Sequence, residues 1–326
     1  MTSLQLARRT VTLGLAAAVA LTLSGAAVAQ PKTTRLIVAF PPGGPVDFVA
    51  RTLSEQLGKE LGHTVIVENK AGANGAIAAD FVSRSAPDAQ TLWLTSVGAV
   101  AINPTLYPKL SYKPATDLTP VSLLVNNVEV LVVNAKAPYN TGAEFVETAR
   151  RATAPLTMAS SGTGSVPHLA MELLNEHAKI KLAHIPYKGA APAITDVIAG
   201  HVDGFFGDIP GLVGHIAAGK LKPIGLAANK RHPRFPDVKT FAEMGITGVD
   251  SDNWYALFAA KGTPPADAER VSQAVRRALA VPTVKTKLEA SGAEVAGSTP
   301  AELAKVLASD SEKWARVVRA NNVTPD

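Results

Sequence analysis

Short, continuously apolar segments alternate with segments of helical period along most of this chain, and that alternation constrains the fold more than any single residue does. Leu36-Ile37-Val38-Ala39-Phe40, Val65-Ile66-Val67, Leu92-Trp93-Leu94 and Val130-Leu131-Val132-Val133 are rich in branched side chains, as strands buried on both faces require. Between them Val49, Leu53 and Leu57 recur every four residues, and Val166, Leu169, Ala170, Leu173 and Leu174 fall at i, i+3, i+4, i+7 and i+8, the stripe of a helix laid on a core. Strand, helix and strand in alternation predict an α/β architecture of parallel sheets with helices on both faces. After residues 255–259 the pattern changes to three helices, starting near Pro265, Pro282 and Pro300. The last opens with Thr299-Pro300-Ala301-Glu302, a capping box with Pro at the first helical position, and carries Leu303, Val306, Leu307, Trp314, Val317 and Val318 as its buried face.

A chain of 326 residues, 47% of them hydrophobic, allows one large domain or two of ordinary size with a sizeable core. Its first 29 residues contain Arg8 and Arg9, no acid, and an apolar run over residues 11–23, with Ala27 and Ala29 ahead of Gln30. That is the pattern of a secretory signal cleaved before Gln30; the run is too short for a membrane anchor. Arg8-Arg9 resembles a twin-arginine export signal only in that pair, so the general secretion route is expected. Losing both arginines leaves 30 basic against 27 acidic residues, a mature charge of +3. So small an excess leaves no nucleic-acid footprint. The chain has no cysteine, so in an oxidising compartment it depends on its core rather than on disulfides.

One strand-loop-helix pattern occurs twice, as LIVAFPPGGPVDFVARTL and as LTMASSGTGSVPHLAMEL. In each, a glycine-containing loop delivers the chain to a helix N-terminus, where free N–H groups and the helix dipole favour an anion. Either the glycines only permit tight turns, or the loops grip one ligand from two sides. Their equivalent places in two α/β halves favour the second reading.

Enzyme motifs fail one by one. Gly162-x-Gly164 has Pro167 where a dinucleotide fingerprint needs a third glycine. Gly214 to Lys220 fits G-x-x-x-x-G-K, but Leu221 replaces the Ser or Thr that would hold Mg²⁺, and the segment reads as a helix ending at Gly219. No G-x-S-x-G occurs, so Ser160, Ser161 and Ser165 lack a nucleophile elbow. The seven histidines show no H-E-x-x-H spacing, and no catalytic set, cofactor or metal site is expected. His168, in the first turn of its helix opposite the apolar stripe, is either a solvated or capping histidine or a ligand contact.

The stretches FPPGGPVDFVAR, VIVENKAGANGAIAAD, INPTLYPKLSY, ASSGTGSVPHLA, IPYKGAAPAITDVIAGHVD and AGKLKPIGLA closely resemble the tripartite tricarboxylate transporter receptors, also called Bug proteins, in order and spacing from about Lys32 to Asp326. The resemblance implies a type II periplasmic-binding-protein fold with a ligand cleft between two α/β lobes. Residues 30–127 would begin the first lobe, 128–254 form the second, and 255–326 return to the first. It implies a periplasmic, monomeric, non-enzymatic receptor that captures a small carboxylate and delivers it to a two-component membrane permease. A sensory receptor for a signalling partner and, less readily, an exported enzyme acting on a small acid are the alternatives; neighbouring genes and turnover of a bound acid would separate them.

The expected ligand contacts combine the loop physics with the family motif. Backbone N–H groups of Gly43, Gly44, Gly162, Thr163 and Gly164 and hydroxyls of Ser161, Thr163 or Ser165 would hold the carboxylate. The motif maps Phe40, Gly43, Gly44 and Asp47 onto the first lobe and Ser161, Gly162, His168, Tyr187 and Gly189 onto the second; Pro42, Val46, Asn74 and Asp208 are further expected contacts. Asp47 could instead only cap a helix starting at Phe48. Thr95 and Ser96 lie at the C-terminal end of an apolar run, where open parallel sheets place ligands. Tyr187 and Trp254 are candidates for the pocket wall. Several positions depart from the usual pattern: Val46 stands where the family has Thr, Ala89-Gln90 where it has Gly-Tyr, Asn74 and Ala76 where Gly and Asn are commoner, and Gly207 at the familiar Asp with Asp208 following. These departures leave the identity of the acid open.

Overall fold

The computed structural model describes residues 32–325, so the signal segment expected over residues 1–29 lies outside the described residues. Two sheets organise the chain. The first has strand order β11-β4-β10-β3-β1-β2, and the second β7-β6-β8-β5-β9. In the first, β1 (Thr33–Val38), β2 (Thr64–Asn69) and β3 (Thr91–Ser96) run parallel, while β10 (Asn253–Ala260) is antiparallel to both β3 and β4 (Leu118–Asn127). The short β11 (Glu294–Val295) closes the far edge against β4. In the second, β6 (Thr157–Ser160) is parallel to β7 (Ala183–Pro186) and β8 (Gly204–Asp208), while β5 (Glu129–Asn134) is antiparallel to β8 and β9 (Leu221–Leu226).

The sheets are therefore mixed, which corrects the expectation of parallel sheets. The strands by which the chain enters the second sheet and rejoins the first, β5 and β10, run against both of their neighbours. The chain leaves the first sheet after Asn127, enters the second at Glu129 and rejoins the first at Asn253. A hydrogen bond from Asn127 Nδ2 to the Asn253 carbonyl, 3.0 Å long, ties the two crossings together.

Each sheet is buried on both faces by period-two alternation. Leu36 and Val38 belong to one apolar layer of the first sheet, Ile37 and Ala39 to the other. In the second sheet Leu131 and Val133 face one layer, Val130 and Val132 the opposite one. Edge strands are exceptions, among them β2 with Ile66 47% exposed, so continuous hydrophobicity there does not mean burial on two faces. Helices Pro265–Ala280, Pro282–Ser291 and Pro300–Ala320 complete the C-terminal third. Thr299 and Glu302 form the reciprocal capping box, and Leu303, Leu307, Trp314 and Val318 are buried, with Val306 and Val317 partly so. Among the described residues no helix is long and apolar enough to cross a membrane.

Candidate ligand-binding site

Four helices begin at one cleft. Their N-cap residues are Gly44, Ser165, Gly189 and Asp208, for helices Pro45–Leu61, Val166–Ala178, Ala190–Ala199 and Ile209–Ala217, and all four caps line the same pocket. None of them is capped by a side-chain hydrogen bond. Three carry Pro in the first two positions, where the missing N–H costs nothing and the fixed φ starts the helix. Sequence chemistry thus builds helix starts whose remaining first-turn amides, apart from Ile209 N–H on the Val128 carbonyl, are left for something other than the protein. The first turns bring Val46, Ala190, Ala191 and Gly211 to the cleft. Phe40, Phe205 and Leu212 supply apolar walls, which lower the local dielectric and strengthen a charge-assisted bond to those amides.

Of the residues expected from sequence, Phe40, Pro42, Gly44, Val46, Asn74, Ser96, Ser161, Ser165, Gly189 and Asp208 line this cleft. Gly43, Asp47, Thr95, Gly162, Thr163, Gly164, His168 and Tyr187 do not line it; they stand behind it. Asp47 is buried beneath the Pro-Pro-Gly-Gly loop, accepting hydrogen bonds from Gly43 N–H at 3.0 Å, Arg51 Nε at 2.9 Å and Asn69 Nδ2 at 2.9 Å. Burial alone would raise its pKa, but those three donors together hold it below the ordinary carboxylate value. It is not the cap of a helix at Phe48, because the helix starts three residues earlier, at Pro45. From the third helical position it reaches back to fix the loop.

His168 has the same relation to the second loop. It is buried, not solvated; its Nδ1 accepts from Gly164 N–H at 3.2 Å, and its ring stacks on His184 at 3.6 Å between centroids. His184 in turn meets Ser160 Oγ at 2.6 Å, and that hydroxyl braces both the N–H and the carbonyl of Gly162. Gly162 itself needs its glycine, with φ at +135°. Tyr187 turns its hydroxyl to Asp196 at 2.5 Å, and Trp254 points into the first-sheet core with its Nε1 on Asp310 at 2.6 Å. Neither walls the cleft.

Across the cleft, loops following strands of the two sheets touch. Asn74 Nδ2 donates to the Gly164 carbonyl at 3.0 Å, and Gly189 lies against Pro41. Asn74 holds this position with φ at +46°, a left-handed conformation that Asn tolerates better than most residues.

The floor carries residues that sequence reasoning passed over. Asn253 Nδ2 donates to both oxygens of Asp208 at 3.0 and 3.1 Å, and the Tyr255 hydroxyl donates to Asp208 Oδ2. Glu129, fully buried, lies beside them with its Oε1 3.4 Å from Asn253 Nδ2. The signal was present: period two along β10 puts Asn253 and Tyr255 on one face and Trp254 on the other, and Glu129 is an acid at the head of an apolar strand. Burial, then the neighbouring Asp208 charge, pushes Glu129 well above the usual carboxylate range. Burial also raises Asp208 to about 6, against hydrogen bonds from Tyr255, Asn253 and Glu129 that pull it down. Lys188, exposed beside Gly189, completes the rim.

Gly207 explains one departure from the family pattern. A Cβ there would lie 2.3 Å from Cε1 of Phe205, so the Phe205 ring occupies the space of the usual side chain, and the acid stands one residue later. Among the described residues no group of His, Asp or Glu is placed to hold a metal ion.

The profile of the tripartite tricarboxylate transporter family receptors matches residues 49–323. The chain belongs to that family. It is 34% identical over 286 residues to the protein BugT of Bordetella pertussis, covering 87% of this chain and 88% of that one. MatC from Rhodopseudomonas palustris, solved with bound malate, superposes with a TM-score of 0.83 at 35% identity, covering 88% of this receptor and 98% of MatC. Rpa4515 of the same organism, solved with adipate, gives a TM-score of 0.87 at 28% identity, covering 91% and 100%. The receptor accordingly has the two-lobed periplasmic-binding-protein fold, is a solute-binding protein rather than an enzyme, and belongs to the periplasm.

Proposed function

We propose that the receptor captures a small carboxylate in the cleft between its two α/β lobes and presents it to the membrane permease of a tripartite transporter. The observation that carries this reading is the convergence of helix N-termini without side-chain caps at Gly44, Ser165 and Gly189 on one apolar-walled cleft. Oriented amides and three dipole ends aimed at one point are an anion site, and their hydrogen bonds match a carboxylate's two oxygens. Ser161 and Ser165 hydroxyls add donors at the same place. The relatives solved with malate and adipate support the ligand class. Residues 30–127 and 255–326 act as one lobe and 128–254 as the other, closing as a monomer on the ligand. Export by cleavage before Gln30 delivers the receptor to the periplasm, where N-terminal sequencing of the secreted protein reads the cut.

Native mass spectrometry of the receptor, purified from cells without denaturation, identifies the acid it retains. Titration with that acid and with its methyl ester then tests the reading. Each lost charge-assisted bond contributes about 1.5 to 3 kcal/mol, so the ester, with its anion gone, binds at least about 100-fold more weakly. Equal binding of acid and ester contradicts a carboxylate site.

A further inference from the structure

The cleft has two chemically opposite poles. At one, the N-termini capped by Gly44, Ser165 and Gly189 present donors and carry no carboxylate. At the other, the fourth helix starts at Asp208, whose side chain does not cap its own helix but turns to Asn253 and Tyr255. Asp208, Asn253 and Tyr255 all line the cleft.

Acceptors exceed donors at this pole. Asp208 Oδ2 accepts from both Asn253 Nδ2 and the Tyr255 hydroxyl, whereas Oδ1 accepts from Asn253 Nδ2 and has room for a second donor. Asn253 Oδ1, on a side chain only 5% exposed, has no partner in the chain. Ser165 Oγ, also buried and lining the cleft, has none either. Glu129 Oε2 accepts from nothing, and burial beside the Asp208 charge favours its protonated form. The pair then keeps one negative charge. Among the described residues no Lys, Arg or His forms an ion pair with Glu129 or Asp208.

We infer that the ligand is a monocarboxylate bearing an amine, its carboxylate on the helix N-termini and its ammonium on Asp208, and that dicarboxylates are rejected. This deepens the carboxylate reading above and rests on it. Closing the cleft strips water from Asp208, and a buried charge without a counter-charge is strongly unfavourable. A hydroxyl would leave that charge unbalanced; a second ligand carboxylate would add a like charge beside it. An ammonium supplies both the counter-charge and donors for Asp208 and Asn253 Oδ1. The apolar walls of Phe40, Val46, Phe205 and Leu212 suit the methylene segment between the two charged ends.

The test is calorimetric titration at pH 7.5 of the wild-type receptor with α- and ω-amino acids of three to six carbons, with dicarboxylates and simple monocarboxylates of the same lengths, and with the corresponding alkylamines. At least one amino acid should bind about 100-fold tighter than the dicarboxylate and monocarboxylate of its length. In Asp208→Asn, checked for folding by its thermal midpoint, that preference should collapse to within a few-fold. Dicarboxylates binding as tightly as any amino acid, absence of binding by every amino acid in the series, or a preference that survives in Asp208→Asn overturns the inference. The wild-type panel decides even if the variant does not fold. Dicarboxylate binding unaffected by Asp208→Asn removes the amine seat and leaves the carboxylate site standing. Alkylamines binding as tightly as amino acids remove the carboxylate site and leave the Asp208 seat.

Discussion

Glu129 and Asp208 stand directly opposite one another across the antiparallel pair of β5 and β8, the first residue of one strand facing the last of the other. Two acids are thus fixed face to face where the chain has just entered the second sheet. Neither can move away without breaking the ladder, so burial and the Asp208 charge favour a proton on Glu129.

The pair sets a pH dependence. Both folded-state pKa values are raised, Asp208 to about 6 and Glu129 well above its ordinary value, by burial first and then, for Glu129, by the neighbouring charge. A raised acid binds more protons folded than unfolded, so its stabilising effect is complete below the unfolded value and is lost as pH rises through the folded one. The pair's contribution to the thermal midpoint of the unliganded receptor should therefore fall as pH rises from about 4 through 6 and beyond, against the lowered acids such as Asp47, which contribute in the opposite sense. Tyr255 and Asn253 face the pair, and Asp252, itself raised to about 6 by burial and Asp250, titrates in the same window. Comparing wild type with Asp208→Asn isolates the pair: the variant's profile should be flatter over that range, and an identical profile would show that the two acids do not titrate together.

Asn74 provides a separate handle on closure. Its Nδ2 reaches the Gly164 carbonyl of the opposite lobe, and its backbone is left-handed. Asn74→Gly removes the cross-lobe bond while relaxing φ. One such bond contributes about 0.5 to 1.5 kcal/mol net, so ligand affinity should fall about 2- to 10-fold with the thermal midpoint nearly unchanged. X-ray scattering should show the liganded variant less compact than the liganded wild type. An unchanged affinity would mean that Asn74 only shapes its own turn.

Much of this was legible in the chain. The strands β1, β3 and β5, the C-terminal capping box and the two glycine loops follow from local periodicity and turn chemistry, which depend on near neighbours. What periodicity does not carry is direction. Asp47 and His168 sit beside the right loops but brace them from beneath, and nothing in a residue's type says whether it faces a ligand or the underside of the backbone. Glu129, Asn253 and Tyr255 become a site only when the two sheet crossings bring residues 124 and more positions apart together. The mixed strand directions have the same origin, because a crossing strand's sense is set by the sheet it enters.

Gly207 is a steric consequence of Phe205, and the relation can be reversed. Gly207→Asp restores the residue usual in the family but places a Cβ 2.3 Å from Cε1 of the ring. Overpacking of this kind costs about 1 to 3 kcal/mol. Phe205→Ala in the same chain opens that space, so the double variant should melt at a higher temperature than the sum of the two single changes predicts. Simple additivity of the two would show that ring and side chain do not compete.

The most direct measurement is a crystal structure of the receptor with the acid it retains from the cell. The ligand's carboxylate oxygens should lie within about 2.7 to 3.2 Å of cap or first-turn amides of Gly44, Val46, Val166, Ala190 or Ala191. A carboxylate held by Lys188 at the rim, or lying outside the cleft with those amides bonded only to water, would contradict capture by converging helix N-termini.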